Sequence, residues 1–141
     1  MELENKLRKV MMSAESTLSQ EYGSLSLNGK DLFDKNGNSL YKQYGVIDRI
    51  SKDLGVASTI FVREGDDYRR ISTNITDASG NRVIDTMLDR KSAVYSCIQS
   101  GKEYSGPALI FGKNYLAEYQ PIFASGSKDI IGIFFVGIEM S

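Results

Sequence analysis

Nine consecutive residues near the C-terminus, Ile130 to Ile138 (IIGIFFVGI), carry no charged or polar side chain. A membrane-crossing helix needs roughly 20 apolar residues. A run this short, β-branched and aromatic, reads as a buried strand. A buried strand needs strand neighbours and covering layers, so it commits the chain to a sheet.

The neighbours are legible upstream. Ser58 to Val62 (STIFV) is β-branched and aromatic, Glu64-Gly65-Asp66-Asp67 makes a turn, and Tyr68 to Ile75 returns as the second arm of a hairpin. Two more strands are predicted over about 105–111 and 115–123, ahead of the apolar run itself, whose strand spans about 129–139. Gly112-Lys113-Asn114 and Ser125-Gly126-Ser127 supply their turns. Gly132 and Gly137 inside the last strand predict bulges or close backbone approaches. Between the two strand groups, Asp77 to Gly80 is a turn and Val83 to Leu88 a loop with one helical turn. Ser92 caps a short helix over about 93–100 that Gly101 ends.

Before Ala57 the period is helical. Leu3, Leu7, Val10, Met11, Ala14 and Leu18 recur at three- and four-residue steps, predicting an amphipathic helix over about 2–21 with Gly23 beyond its end. Its stripe packs on its own domain, and a share of it is available to a partner chain. Residues 24–42 are turn-rich, through Asn28-Gly29 and Asp34 to Asn38. A second helix follows over about 43–54, stopped by Gly55. The expected architecture is α+β: a PAS-like or profilin-like antiparallel sheet of five to six strands, with a long N-terminal helix and short helices packed on one face. A single domain is expected over residues 1–141, with the N-terminal helix at 1–22 and the sheet at 57–140.

Composition narrows the function. The chain has no histidine, which removes Ser-His-Asp and Cys-His catalysis, His-ligated haem and the common zinc sites. The single cysteine, Cys97, allows no internal disulfide and no thiol metal site, and its helical setting suits a small buried side chain. The net charge of -1 gives no basic excess for nucleic acid. There is no phosphate-binding loop, no dinucleotide fingerprint and no acid–base carboxylate pair set by spacing. Neither an enzyme nor a cofactor or metal protein is expected. The N-terminus has no apolar signal core, and the chain reads as soluble as given.

A binding role fits better. In Asp67 to Thr86 (DYRRISTNITDASGNRVIDT), Arg70 has Ser72 and Thr73 close by and Arg82 arrives across a turn. A guanidinium offers a planar fork that fits a carboxylate, and hydroxyls can meet the remaining lone pairs. Tyr104, Phe111, Tyr115 and Tyr119 form an aromatic group, and strand alternation puts Lys113, Tyr115 and Tyr119 on one face. Such walls suit a small carbon body with an anionic end. The competing readings are an ion-paired arginine, with Asp66, Asp67 or Asp85 as partner, and tyrosines that simply pack. Arg69 is expected on the opposite face, serving solubility.

These residues fall into a recognisable series. TIFVREGDDYRRIST (59–73), DASGNRVIDTMLD (77–89), GKEYSGPALIFGKNYLAEYQPI (101–122) and IIGIFFVGIEM (130–140) resemble the Cache sensor domains of bacterial methyl-accepting chemotaxis proteins, in particular the single Cache domain of the Cache 3/Cache 2 fusion group. The resemblance covers about residues 40–140. It implies a PAS-like sheet behind a long N-terminal helix and a periplasmic or otherwise extracytoplasmic position. It further implies inner-membrane anchoring by helices outside this sequence and a homodimer through the N-terminal helix. The implied ligand is a small organic anion such as acetate, propionate or pyruvate, and the implied output is a chemotaxis or a kinase module. Arg70 and Thr73 fall where related sensor-kinase domains for dicarboxylates carry an Arg-x-x-polar pair on the corresponding strand, and Tyr115 to Tyr119 fall on the later pocket strand. Arg82 and Tyr104 would close the mouth, with Lys113 beside them. One departure is Ile84-Asp85, where the family usually has a small residue or glycine.

Overall fold

The computed structural model describes residues 2–140. In chain order the elements are α1 (Glu2–Tyr22), β1 (Ser26–Asn28), β2 (Asp31–Phe33), α2 (Gly45–Leu54), β3 (Ala57–Glu64), β4 (Asp67–Thr73), α3 (Ala93–Gln99), β5 (Tyr104–Ile110), β6 (Lys113–Phe123) and β7 (Ile130–Met140). The fold is α+β, as expected. Five strands form an antiparallel sheet in the order β4-β3-β7-β6-β5, and β1 and β2 make a separate two-stranded hairpin.

The apolar run takes the centre of the sheet, where β7 lies between β3 and β6 and is buried from Ile130 to Gly137. Gly132 is required there, because a Cβ at that position would run into the backbone oxygen of Phe61 on β3. Between Ile122 and Phe123 the β6–β7 register slips by one residue. That bulge lets Ile131 and Phe134 turn to one face of the sheet, and Ile130, Ile133 and Phe135 to the other.

Each face has its own core. On the first, Leu7, Val10, Met11 and Ala14 of α1 and Ile47 and Ile50 of α2 pack with Ile60, Val62, Ile71, Phe134 and Val136. The stripe of α1 packs on its own sheet through Leu7, Val10, Met11 and Ala14, Leu3 and Leu18 are partly buried, and Met12 stands exposed. On the second face, Phe61, Tyr68, Tyr115, Tyr119, Ile133 and Phe135 pack with Val94 and Ile98 of α3 and with Ile75, Val83 and Leu88. The helices therefore divide between the two faces instead of sharing one.

Segment 83–88 contains no helical turn. It runs extended along the free edge of β4, with Arg70 N donating to Thr86 O (2.9 Å), Asp85 N to Arg70 O (2.8 Å) and Leu88 N to Tyr68 O (2.9 Å). The strap covers backbone groups that an edge strand would leave open. Its bend is at Asp85, whose φ of 68° lies in the left-handed region that Asp tolerates better than most side chains.

Candidate functional site

Strict alternation would put Arg70 and Thr73, three positions apart, on opposite faces of β4. The structure puts them on one face through a bulge. Thr73 pairs with Thr59 and Ser72 with Ile60, but Arg70, not Ile71, pairs with Phe61. Ile71 is the extra residue, and it joins Ser72 on the face of α1 and α2, where the Ser72 hydroxyl donates to Gln43 O at 2.6 Å. Arg70 and Thr73 both look onto the second face. There the register aligns Thr73, Thr59, Phe135, Tyr119 and Tyr104 in one cross-strand row.

Arg70 is only 6% exposed, yet no carboxylate offsets its burial, which pulls its pKa down. The guanidinium stays charged at any physiological pH. Its Nη1 donates to Thr86 Oγ1 (3.1 Å) and Met87 O (3.2 Å), both on the strap. Its flat faces meet Phe61 at 4.9 Å and Phe111, from the β5–β6 turn, at 5.4 Å. Nε and Nη2 have no protein acceptor. Every fully buried side-chain nitrogen and oxygen among the described residues is hydrogen-bonded, so these two nitrogens keep contact with solvent.

Tyr119 adds another such donor. It is 2% exposed and packs against Phe135 (4.8 Å) and Phe61 (6.3 Å), but its hydroxyl has no protein partner and, by the same reasoning, reaches solvent. Burial pushes its phenol well above the usual tyrosine value, while the charge of Arg70 pulls the other way. The Thr73 hydroxyl is shared with Thr59 Oγ1 (2.7 Å) and accepts from Ile75 N, which fixes the row beside Arg70. The result is a cation and a phenol on an aromatic floor, each with a donor that no protein group accepts.

The remaining sequence-predicted residues lie elsewhere. Arg82 forks onto Asp48 of α2 (2.7 and 2.8 Å), donates to Thr73 O, and lies 4.0 Å over the Tyr44 ring. It ties the loop after β4 to α2 and does not converge on Arg70. Tyr104 donates to Pro107 O within its own strand (2.6 Å) and reaches the row only through its ring, 6.1 Å from Tyr119. Lys113 and Tyr115 sit farther along β6, beside Glu139 of β7. Arg69 does point to the other face, but its role there is not solubility. It is largely buried in a hub with Glu64 (3.1 Å), Asp85 (2.8 Å) and Lys30 O (2.9 Å). Sequence reasoning left out Thr59, Phe61 and Thr86 as site-builders. Thr59 and Phe61 stand in the TIF motif, so their signal was on the page.

A five-stranded antiparallel sheet with a long N-terminal helix on one face is a PAS/GAF-like build. The comparisons agree. The chain matches the Cache 3/Cache 2 fusion domain over residues 2–141, and it belongs to that family. Cache domains are extracytoplasmic ligand-sensing modules of signalling proteins, and they are not catalysts. Among solved structures, the GAF domain of nlh2 from A. aeolicus, in an inactive state, is similar with a TM-score of 0.50. It is 15% identical, covering 99% of this chain and 83% of that one, and at that identity the likeness speaks for the fold alone. No curated protein matches the chain. No described helix is long and apolar enough to cross a membrane.

Proposed function

We propose that this domain is the ligand-binding part of a chemoreceptor and that it holds a small monocarboxylate of the acetate, propionate or pyruvate type at Arg70. The observation that carries the reading is the burial of Arg70 without a counter-ion while Nε and Nη2 stay free. Burying an unpaired charge is costly. A carboxylate accepting from Nε and Nη2 would meet that cost with two parallel charge-assisted bonds. The Tyr119 hydroxyl would serve a further lone pair, and Phe61 and Phe111 would flank a short carbon chain. Thr73 would hold the row in place instead of touching the ligand. In the intact receptor, membrane helices would anchor the domain and α1 would pair two copies.

Binding alters signalling only through different affinities for two arrangements. The strap is suited to differ between them, because it is bonded to Arg70 through Thr86 and Met87. The test is a thermal-shift series with C2 to C4 acids on protein shown to be ligand-free. Stabilisation by at least one monocarboxylate, lost in Arg70→Gln, is expected. No shift with any acid would overturn the reading and favour a domain that answers to a partner protein.

A further inference from the structure

β3 begins at Ala57, opposite Gly137, but β7 runs on to Met140. Past that pair β7 keeps its β6 neighbour, with Glu139 opposite Tyr115, and has no β3 residue on its other side. The notch is walled by the C-terminal end of α2, where Gly55 turns the chain at φ 69°, and by the Asn74–Thr76 exit from β4. It forms a cleft of about 280 Å³. That is below the roughly 300–1,000 Å³ of drug-sized pockets, so its occupant is a small molecule.

Several polar groups of the cleft keep hydrogen-bonding capacity. Tyr115 is 5% exposed, its hydroxyl makes no hydrogen bond to protein, and it lines the cleft. Since no fully buried side-chain nitrogen or oxygen among the described residues lacks a partner, that hydroxyl opens into the notch. Asn74 accepts from Ser58 N through Oδ1 (2.9 Å), which leaves its amide protons free. At the rim, Lys113 Nζ and Glu139 Oε1 stand 3.8 Å apart, beyond hydrogen-bond length, and both side chains are more than half exposed. A loose pair of this kind contributes little by itself. Either partner is available to an opposite charge on a ligand.

We propose that this cleft is a second binding site and that it takes a small zwitterion. The ligand's ammonium would meet Glu139, and its carboxylate would meet Lys113 and the Tyr115 hydroxyl. The site is separate from Arg70. Phe135 (6.2 Å from Tyr115), Tyr119 and Phe61 lie between them along the same face of the sheet. The sequence grouped Lys113 and Tyr115 with Arg70, and the structure divides them.

The test is calorimetric titration of the ligand-free domain with glycine, L-alanine and β-alanine, with acetate and methylammonium as half-ligand controls. In Arg70→Gln, which removes the acetate site proposed above, at least one zwitterion is expected to bind more tightly than either half. Tyr115→Phe and Lys113→Gln, each checked for unchanged melting, should weaken it about tenfold, as loss of a hydrogen bond to a charged group does. Arg70→Gln should leave it unchanged. Absence of binding by all three zwitterions at millimolar concentration, or affinities indifferent to Tyr115→Phe and Lys113→Gln, would overturn the proposal. Loss in Arg70→Gln would also overturn it, by assigning the binding to the arginine site. Monocarboxylate binding at Arg70 can fail without touching this result, since zwitterion binding is read on Tyr115→Phe and Lys113→Gln and is measured with the arginine site removed.

Discussion

The guanidinium of Arg70 lies 4.9 Å over the ring of Phe61, its cross-strand partner, and this stacking replaces the carboxylate that a buried arginine ordinarily requires. A cation over an aromatic face recovers on the order of 1–2 kcal/mol when desolvated, less than the several kcal/mol that burying the charge costs. Arg70→Met keeps most of the side-chain volume and an unbranched apolar stem beside Phe61 and removes the charge. We expect the free domain to become neutral to about 1 kcal/mol more stable in chemical denaturation. The same variant should lose stabilisation by monocarboxylates. A clear loss of stability with ligand response retained would show that Arg70 is a structural group.

Gly132 faces the backbone of β3 so closely that a methyl group there would overlap Phe61 O. Backbone in the middle of a sheet cannot yield as a side-chain tip can. Gly132→Ala should therefore destabilise the domain by at least about 3 kcal/mol, measured as a shifted denaturation midpoint. The β3–β7 amides should also lose protection in hydrogen exchange. A change below about 1 kcal/mol would mean that the two strands separate more readily than this register implies.

The sequence made the central strand legible because nine apolar residues cannot be placed in water, and it made the hairpins legible because Gly and Asn mark their turns. What it hid depends on pairing between segments. The bulge at Ile71 exists only in the register of β4 against β3, so local alternation alone does not show that Arg70 and Thr73 share a face. The strap over 83–88 is extended because β4 has a free edge to fill, and no local period reports that. Arg82 was read as a site residue because its partner, Asp48, lies 34 positions away on α2. Arg69 was read as a surface charge for the same reason, since Asp85 and Lys30 reach it from other segments.

Acid should destabilise the fold. The Tyr41 hydroxyl and Arg69 hold the Asp85 carboxyl below its ordinary value, Arg90 does so for Asp67, and Arg8 with Gln120 for Glu103. A carboxyl whose folded pKa is depressed gives stability that is present above its unfolded value and lost as pH falls through the folded one. Glu15 runs the other way. Burial, then the nearby Glu118 and Glu103, raise its pKa, so its charging costs stability as pH rises. With Asp34 also held down by the Asn38 and Asn36 backbone amides, the depressed carboxyls outnumber the raised one, and melting temperature should hold down to about pH 5 and fall below about pH 4. Asp85→Asn should remove part of that fall. A melting temperature that rises on acidification would contradict this balance.

Glu118 is a buried carboxylate of β6, 1% exposed, and it faces α1. Arg8 of α1 approaches Oε1 of both Glu118 (3.8 Å) and Glu103 (3.0 Å), while Gln120 Nε2 donates to Oε2 of both (2.7 and 2.6 Å). The four groups close a ring that ties the long helix to the sheet. Removing Arg8 leaves two carboxylates sharing one amide, one of them buried, and breaking a buried pair costs more than the pair contributes. Because Arg8 is half exposed and 3.8 Å from Glu118, water screens part of this cost. Arg8→Ala should destabilise the domain by about 1–2 kcal/mol. Arg8→Ala combined with Glu118→Gln should recover most of that loss, because no uncompensated buried charge remains. A double-mutant cycle from urea denaturation measures the coupling. Equal losses in the single and double variants would show that Arg8 acts through the packing of its stem, and that Glu118 is solvated well enough to stand without it.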